Sequence, residues 1–349
     1  MFVPQKSRGY HLAKPGSFDN LIVKESDVPQ PRGNEVLVKI RAVSLQSRDI
    51  AIILGFYPIG QPDMVPCSDM AGDIIAIGED VKQWKIGDRV SSNFFTRHIY
   101  GDTDQQILQS ALGGQAEGVL IEYRAFPAES LVAIPQHLNY VEASTLPCAG
   151  LTAYVALHGP IPVKPGDIVL VLGTGGVSIF ALKIALASGA TVIGTSSSPD
   201  KLKVLEKLGA KHTINYKESP SWEKEVLKLT NNRGVDHVIE VGGAGTIAKS
   251  SLAARIGGSI HAIGFLAQED SEVGKDSITF PTFTRKVLHV NGIYAGSVAQ
   301  FKDFNRFLSA FPEATRPYVD RVFSFEKSPE AFAYLASQKH IGKVVVEIT

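Results

Sequence analysis

Between residues 168 and 263 the chain alternates short apolar runs with longer stretches whose apolar residues recur every three to four positions. The run 168–172 (IVLVL) has no polar interruption, as expected of a parallel strand buried on both faces. The stretch 177–188 (VSIFALKIALAS) has a helical period. The same reading predicts strand 190–195, helix 199–208, strand 212–215, helix 221–229, strand 235–240, helix 246–254 and strand 258–263. Residues 288–294 (LHVNGIY) add a last strand. Strands alternating with helices specify an α/β fold with a doubly wound parallel sheet.

The first third has a different rhythm. Residues 36–43 (VLVKIRAV) alternate with period two after the turn PRGNE, and 73–81 and 87–91 read as further strands. Residues 91–120 lack periodicity and read as a long loop region, which in a compact domain is often functional. Beyond the βα repeat come helices 301–310 and 328–337 and strand 343–348, expected to pack back on the first domain.

A length of 349 residues suits two domains, and 44% hydrophobic against 20% charged residues suits a substantial buried core. The formal net charge is zero, so no overall field attracts nucleic acid or an anionic membrane, and a small-molecule substrate is expected. Two cysteines, Cys67 and Cys148, make no disulfide scaffold and fit a reducing compartment. The N-terminus MFVPQKSRGYHLAKPG has no apolar signal core, and the run 168–172 is too short to cross a bilayer, so a cytoplasmic location is expected.

The strongest motif is IVLVLGTGGVS at 168–178: a buried strand, then Gly173, Thr174, Gly175, Gly176 and Val177, then a helix. Glycines let the backbone approach a pyrophosphate, whose charge suits the helix N-terminus. Ser178 replaces the third glycine of this fingerprint. An NAD site usually places an acid at the end of the second strand to bind the ribose hydroxyls. Here that place holds Ser196, followed by Ser197, Ser198 and, two positions on from Pro199, Lys201. Without the carboxylate a 2′-phosphate is not repelled, and hydroxyls and Lys201 can donate to it. The serines either cap the next helix or bind this phosphate, and one can cap while others bind. Tyr216 either reaches the same phosphate or packs at the surface. The expected cofactor is NADP(H).

In order, the chain carries a β-rich domain, PCAGLTAY (147–154), LGTGGV (172–177), IEVGG (239–243) and GKVVV (342–346). With these motifs it resembles the medium-chain dehydrogenase/reductase superfamily over roughly residues 8–349, within its zinc-free, quinone-oxidoreductase-like and zinc-type alcohol dehydrogenase-like branch. The resemblance implies a GroES-like catalytic domain at 1–145, completed by 295–349, and a Rossmann NADP-binding domain at 146–294. It also implies a homodimer. Zinc-dependent members carry Cys-x-Thr-Asp; the matching stretch here is Gln46-Ser47-Arg48-Asp49. Where they carry Gly-His-Glu, this chain has Cys67-Ser68-Asp69, while Cys148 keeps a third ligand position. A catalytic zinc wants three protein ligands, so none is expected. Asp49 matches an aspartate that pairs with a basic residue near the cofactor, with Lys343 as its partner, and Thr152 matches a hydroxyl beside the nicotinamide ribose or phosphate.

Reducing a simple ketone leaves an alkoxide, which calls for a strong electrophile such as zinc. Adding hydride to a quinone, an enone or an enoyl thioester instead spreads charge onto a distant oxygen that hydrogen-bond donors can stabilise. The expected activity is therefore zinc-independent NADPH-dependent reduction of a quinone or α,β-unsaturated carbonyl, with a ketone or aldehyde not excluded. Gln46, Arg48, Tyr57 and Ser68 are the candidate donors, although Arg48 and Tyr57 are equally readable as structural. Phe94 and Phe95 either wall the substrate site or pack, and His98 and His158 read as loop or surface residues. The alternatives are a catalytically idle NADPH-binding protein and a trans-acting enoyl reductase of a biosynthetic pathway.

Overall fold

The computed structural model describes residues 3–57, 59–266 and 279–349. Two compact units emerge: Met1–Leu151 with Ala295–Pro312 and Arg316–Thr349, and Thr152–Tyr294 with Glu313–Thr315.

The first unit opens with an antiparallel hairpin, β1 (Lys6–Leu12) and β2 (Leu21–Asp27). Then follow β3 (Glu35–Ser44), α1 (Ser47–Ile53), β4 (Asp69–Ile77), β5 (Arg89–Ser92), α2 (Gln105–Leu108), β6 (Tyr123–Pro127), β7 (Leu131–Ala133) and α3 (Tyr140–Ala143). Strand β3 organises this unit, with β4 and β6 both antiparallel to it. Its apolar residues Val36, Val38, Ile40 and Val43 are fully buried with Ile74, Val90 and Phe126. Strand β4 runs Asp69–Ile77 rather than over 73–81, because its pairing with β3 reaches down to Ser44 opposite Asp69. The hydrophobic pattern does not predict the hairpin or a later strand, β14 below. Five of the seven positions of β2 are exposed and none of the six of β14 is buried, so neither strand has a strong apolar alternation to read.

The second unit is the expected parallel sheet. After α4 (Leu151–His158) come β8 (Ile168–Leu172), α5 (Gly176–Ala187), β9 (Thr191–Ser196), α6 (Pro199–Lys207), β10 (His212–Asn215), α7 (Trp222–Leu229), β11 (Val235–Glu240), α8 (Ile247–Ala253), β12 (Ala254–Ala262), α9 (Thr279–Arg285) and β13 (His289–Gly292). The order β10-β9-β8-β11-β12-β13 is all parallel. It reverses direction between β8 and β11, and ligands of such sheets bind beyond the strand ends at that reversal. Val169, Leu170 and Val171 are fully buried, which explains the uninterrupted apolar run.

The chain then returns to the first unit with α10 (Val298–Ala310), β14 (Val319–Ser324), α11 (Ser328–Ala336) and β15 (Lys343–Glu347). Strand β15 lies antiparallel to β3 and parallel to β14, giving a sheet ordered β14-β15-β3-β4-β5-β7, with β6 also on β3. Three strand ends thereby meet: Ser44 of β3 stands opposite both Val345 of β15 and Asp69 of β4.

Candidate active site and nucleotide loops

In the second unit the turn from β8 to α5 is shaped by glycine. Gly173 has φ 73°, a left-handed conformation, and a Cβ there or at Gly175 would meet no atom within 4 Å. The backbone therefore borders open space before α5, whose N-cap is Gly175. Thr174 is buried, while Gly175, Gly176 and Val177 are half-buried. Ser178, in place of the third glycine, donates its hydroxyl to the Leu172 carbonyl at 2.7 Å and so fastens the first turn of α5 to the end of β8.

The serine loop lies at the end of the neighbouring strand. Ser196 is buried as the last residue of β9, and Ser197 and Ser198 are half-buried. Ser198 is the N-cap of α6 but makes no side-chain cap bond. Its amide donates to Ser196 Oγ at 3.3 Å, so the Ser196 hydroxyl proton remains to be donated. Tyr216 is brought beside this loop, its amide donating to the Ser196 carbonyl at 3.1 Å and its side chain exposed. Lys201 sits half-buried on the first turn of α6. Thr152 is buried in the first turn of α4.

Sequence reasoning passed over Glu240. This buried residue ends β11, on the other side of the reversal, and one carboxylate oxygen accepts from the Gly242 and Gly243 amides at 2.8 and 3.0 Å and from Thr246 Oγ1 at 2.5 Å. Its other oxygen accepts from the Ser250 hydroxyl. One anion thus fixes the turn that faces the glycine turn of β8. The signal was available: a Glu ending an apolar strand directly before Val-Gly-Gly needs several donors to be buried there.

In the first unit the strand ends of β3, β4 and β15 carry a buried polar cluster centred on Asp69, a residue also absent from the predicted set. Asp69 accepts from Gln46 Nε2 and Ser68 Oγ, each at 2.6 Å, and from the Cys148 amide at 3.0 Å. Two of the predicted donors are therefore turned inward. Burial raises the Asp69 carboxyl above its ordinary value, opposed first by the charge of Lys343. Lys343 donates to the Leu45 carbonyl at 2.5 Å and is itself held below its ordinary value by burial, with Asp69 its leading opposing charge. Asp49 differs from expectation. No ion pair within 4.0 Å joins it to Lys343 among the described residues; instead it accepts from the Gln46 amide at 2.8 Å as the end of α1 requires. Its other oxygen is buried without a partner, and burial pushes its carboxyl up to about 7. Both thiols are raised by burial. Among the described residues no three His, Cys, Asp or Glu side chains are placed to hold a metal ion. The donor set thus does not fit a catalytic zinc, which asks for three thiolate, imidazole or carboxylate ligands, because two of those positions hold the Gln46 amide and the Ser68 hydroxyl.

Beside this cluster, Cys67 has φ 71° and the loop residue Gly113 has φ 68°. A Cβ on Gly113 would lie 2.5 Å from the Cys67 backbone, so only glycine lets the two segments close. Arg48 lies against the rings of Tyr57 and Phe94, its guanidinium carbon 5.3 and 4.9 Å from their centroids. Phe94 and Phe95 are fully buried, edge to face, and pack with Ile107, Ala111, Ala295 and Cys148. His98 is a loop residue but not a surface one: it is buried, with Nε2 at 3.0 Å from the Gly101 carbonyl. His158 is half-buried and stacks on Tyr154.

Residues 32–136 match the family described as the alcohol dehydrogenase GroES-like domain, and residues 176–310 match the zinc-binding dehydrogenase family. The zinc-type alcohol dehydrogenase-like protein C1773.06c of Schizosaccharomyces pombe is 46% identical over 335 residues, covering 95% of this chain and 96% of its own. The 2-methylene-furan-3-one reductase of Solanum lycopersicum is 31% identical over 352 residues, covering 99% of this chain and 80% of its own. A solved candidate alcohol dehydrogenase from Sinorhizobium meliloti 1021 has a TM-score of 0.90 at 36% identity, covering 99% of this chain and 100% of its own.

Proposed function

This chain belongs to the medium-chain dehydrogenase/reductase superfamily, in its zinc-type alcohol dehydrogenase-like branch, and is an oxidoreductase using a nicotinamide cofactor; from that membership we propose that it performs zinc-independent, NADPH-dependent reduction of an α,β-unsaturated carbonyl compound or a quinone. The observation that carries this reading is the cluster around Asp69, where the Gln46 amide and the Ser68 hydroxyl stand at two of the three metal-ligand positions and both donate to Asp69. It is supported by the tomato relative, whose name describes a conjugated enone substrate.

The open space at Gly173 and Gly175 fits a pyrophosphate, and Thr174, Gly176 and Val177 would supply the rest of that turn. Ser196, Ser197, Ser198, Lys201 and Tyr216 would hold the 2′-phosphate, with Thr152, Asp49 and Lys343 on the cofactor's remaining polar groups. The bound reduced nicotinamide supplies the hydride. Gln46 spends one amide hydrogen on Asp69 and keeps the other, which can donate to the oxygen where enolate or phenolate charge develops. Lys343 and Arg48 bring positive charge to the same buried region, and Tyr57 borders it. Ser68 acts through Asp69 rather than directly, since its hydroxyl proton is already committed.

The test is NADPH consumption over a panel of quinones, enals and enoyl thioesters, before and after exhaustive chelation, with elemental analysis of the same sample. Undiminished turnover without stoichiometric zinc is expected. One tightly held zinc per chain, required for turnover, overturns the reading. The inward turn of Gln46 and Ser68 favours the second reading, an NADPH-binding protein without turnover; nucleotide binding with no oxidation across the whole panel would select it.

A further inference from the structure

Arg48 has no carboxylate in hydrogen-bond reach among the described residues, and the acid its charge acts on, Asp49, is itself pushed up to about 7 by burial. Nη1 donates to the Leu112 carbonyl at 2.9 Å and Nη2 to Gln115 Oε1 at 3.2 Å, both neutral acceptors. Nε is buried without a partner, and no carboxylate lies within 4.0 Å of the guanidinium among the described residues. Of five N–H groups, two are committed. The residue nonetheless keeps part of its surface open.

The surroundings are built to hold this cation. Tyr57 and Phe94 lie against it, which fixes its plane. The loop that receives its two bonds carries Gly114, where a Cβ would fall 2.0 Å from Arg48 Nη2. Phe94 belongs to the same apolar cluster that Cys148 packs against, and the Cys148 amide donates to Asp69. A half-buried guanidinium with no carboxylate in hydrogen-bond reach can take up a ligand's negative charge on its uncommitted N–H groups. A planar guanidinium of fixed orientation matches a carboxylate, with two parallel bonds available.

We propose that Arg48 anchors a carboxylate on the substrate, so that the preferred acceptor carries an anionic group in addition to its conjugated carbonyl. The inference rests on the reductase reading and names its substrate class. In the reaction a hydride from NADPH and a proton add across the carbon–carbon double bond, NADPH becomes NADP⁺, and the carboxylate held at Arg48 is unchanged.

The probes are trans-3-benzoylacrylate and its methyl ester, which share one enone and differ in charge. The acid is expected to exceed the ester in kcat/KM by roughly 10- to 100-fold, chiefly through KM, the range of one or two charge-assisted hydrogen bonds. Arg48→Met should bring that ratio close to one, and Arg48→Lys should retain part of it. A ratio near one in the natural protein, or a ratio that survives Arg48→Met, overturns the anchor. If Arg48→Met fails to fold, the comparison on the natural protein still decides. Calorimetric binding of the saturated product, 3-benzoylpropionate, and of its methyl ester to the enzyme loaded with NADP⁺ separates the two readings. Tighter binding of the acid with no reduction of either enone supports the anchor and strikes the reductase reading. Equal binding of acid and ester strikes the anchor whatever the turnover.

Discussion

Ser196 closes β9 with its hydroxyl proton still to be donated, at the place where a dinucleotide's adenosine ribose is expected. Ser196→Asp would set a carboxylate against a 2′-phosphate and give NADH a ribose partner. Lys201→Ala would remove a charge-assisted contact and weaken NADPH by about 10- to 100-fold while changing NADH little. The two changes together should invert the NADPH/NADH ratio of kcat/KM; an unchanged ratio in Ser196→Asp would remove the basis for assigning NADPH. At this scale the sequence was partly legible. The glycine turn and serine loop announce themselves because backbone shape and local hydroxyls are written in consecutive residues. The Asp69 cluster does not, because its members come from four separate segments, and residue type does not say which way a side chain turns. Gln46 and Ser68 looked like donors to a substrate, yet both reach Asp69. Arg48 was recognisable as a donor, whereas the neutral acceptors of its guanidinium, Leu112 and Gln115, required the fold.

Among the elements, β11 and β12 carry a buried pair of imidazoles. His237 and His261 stack with Nδ1 of the first 3.1 Å from Nε2 of the second, and Asp167 lies 3.4 Å from His237 Nε2. Burial holds both histidines below their ordinary value, and His261 is lowered from 6.5 to about 3. The unfolded chain therefore takes up these protons before the folded one does. The stability that comes from keeping them neutral is complete above pH 6.5 and is lost as pH falls toward about 3. His261→Gln should lose less stability than the natural protein between pH 7 and pH 5 in denaturant titrations; an equal loss would show that this pair does not govern the acid limb. The strands were legible in β8, where both faces are buried, and in β3, but not in β1 or the three-residue β7, although both bury apolar residues. They were not legible where pairing rather than burial sets the ends. The start of β4 at Asp69 is fixed by Ser44 of another strand, and β14 is held by its neighbour β15 while none of its residues is buried.

For the molecule as a whole, assembly follows from an open sheet edge. Strand β13 is the last in its order, paired among the described residues to β12 alone, and exposes Val290 beside the exposed Val287. Such an edge invites further pairing, and a two-fold partner is the simplest cover. A dimer is expected by sedimentation at micromolar concentration; a monomer there would refute this use of the edge. The last consequence concerns the two thiols. Burial keeps both protonated, and the thiolate is the form that attacks reagents and is oxidised. The folded protein should therefore be durable in air without added reductant. A colorimetric thiol reagent should react slowly with the half-buried Cys148 and not with the buried Cys67 until denaturant is added, and then report two groups per chain. Prompt reaction of one thiol in native buffer would show that Cys148 is not held in its protonated form.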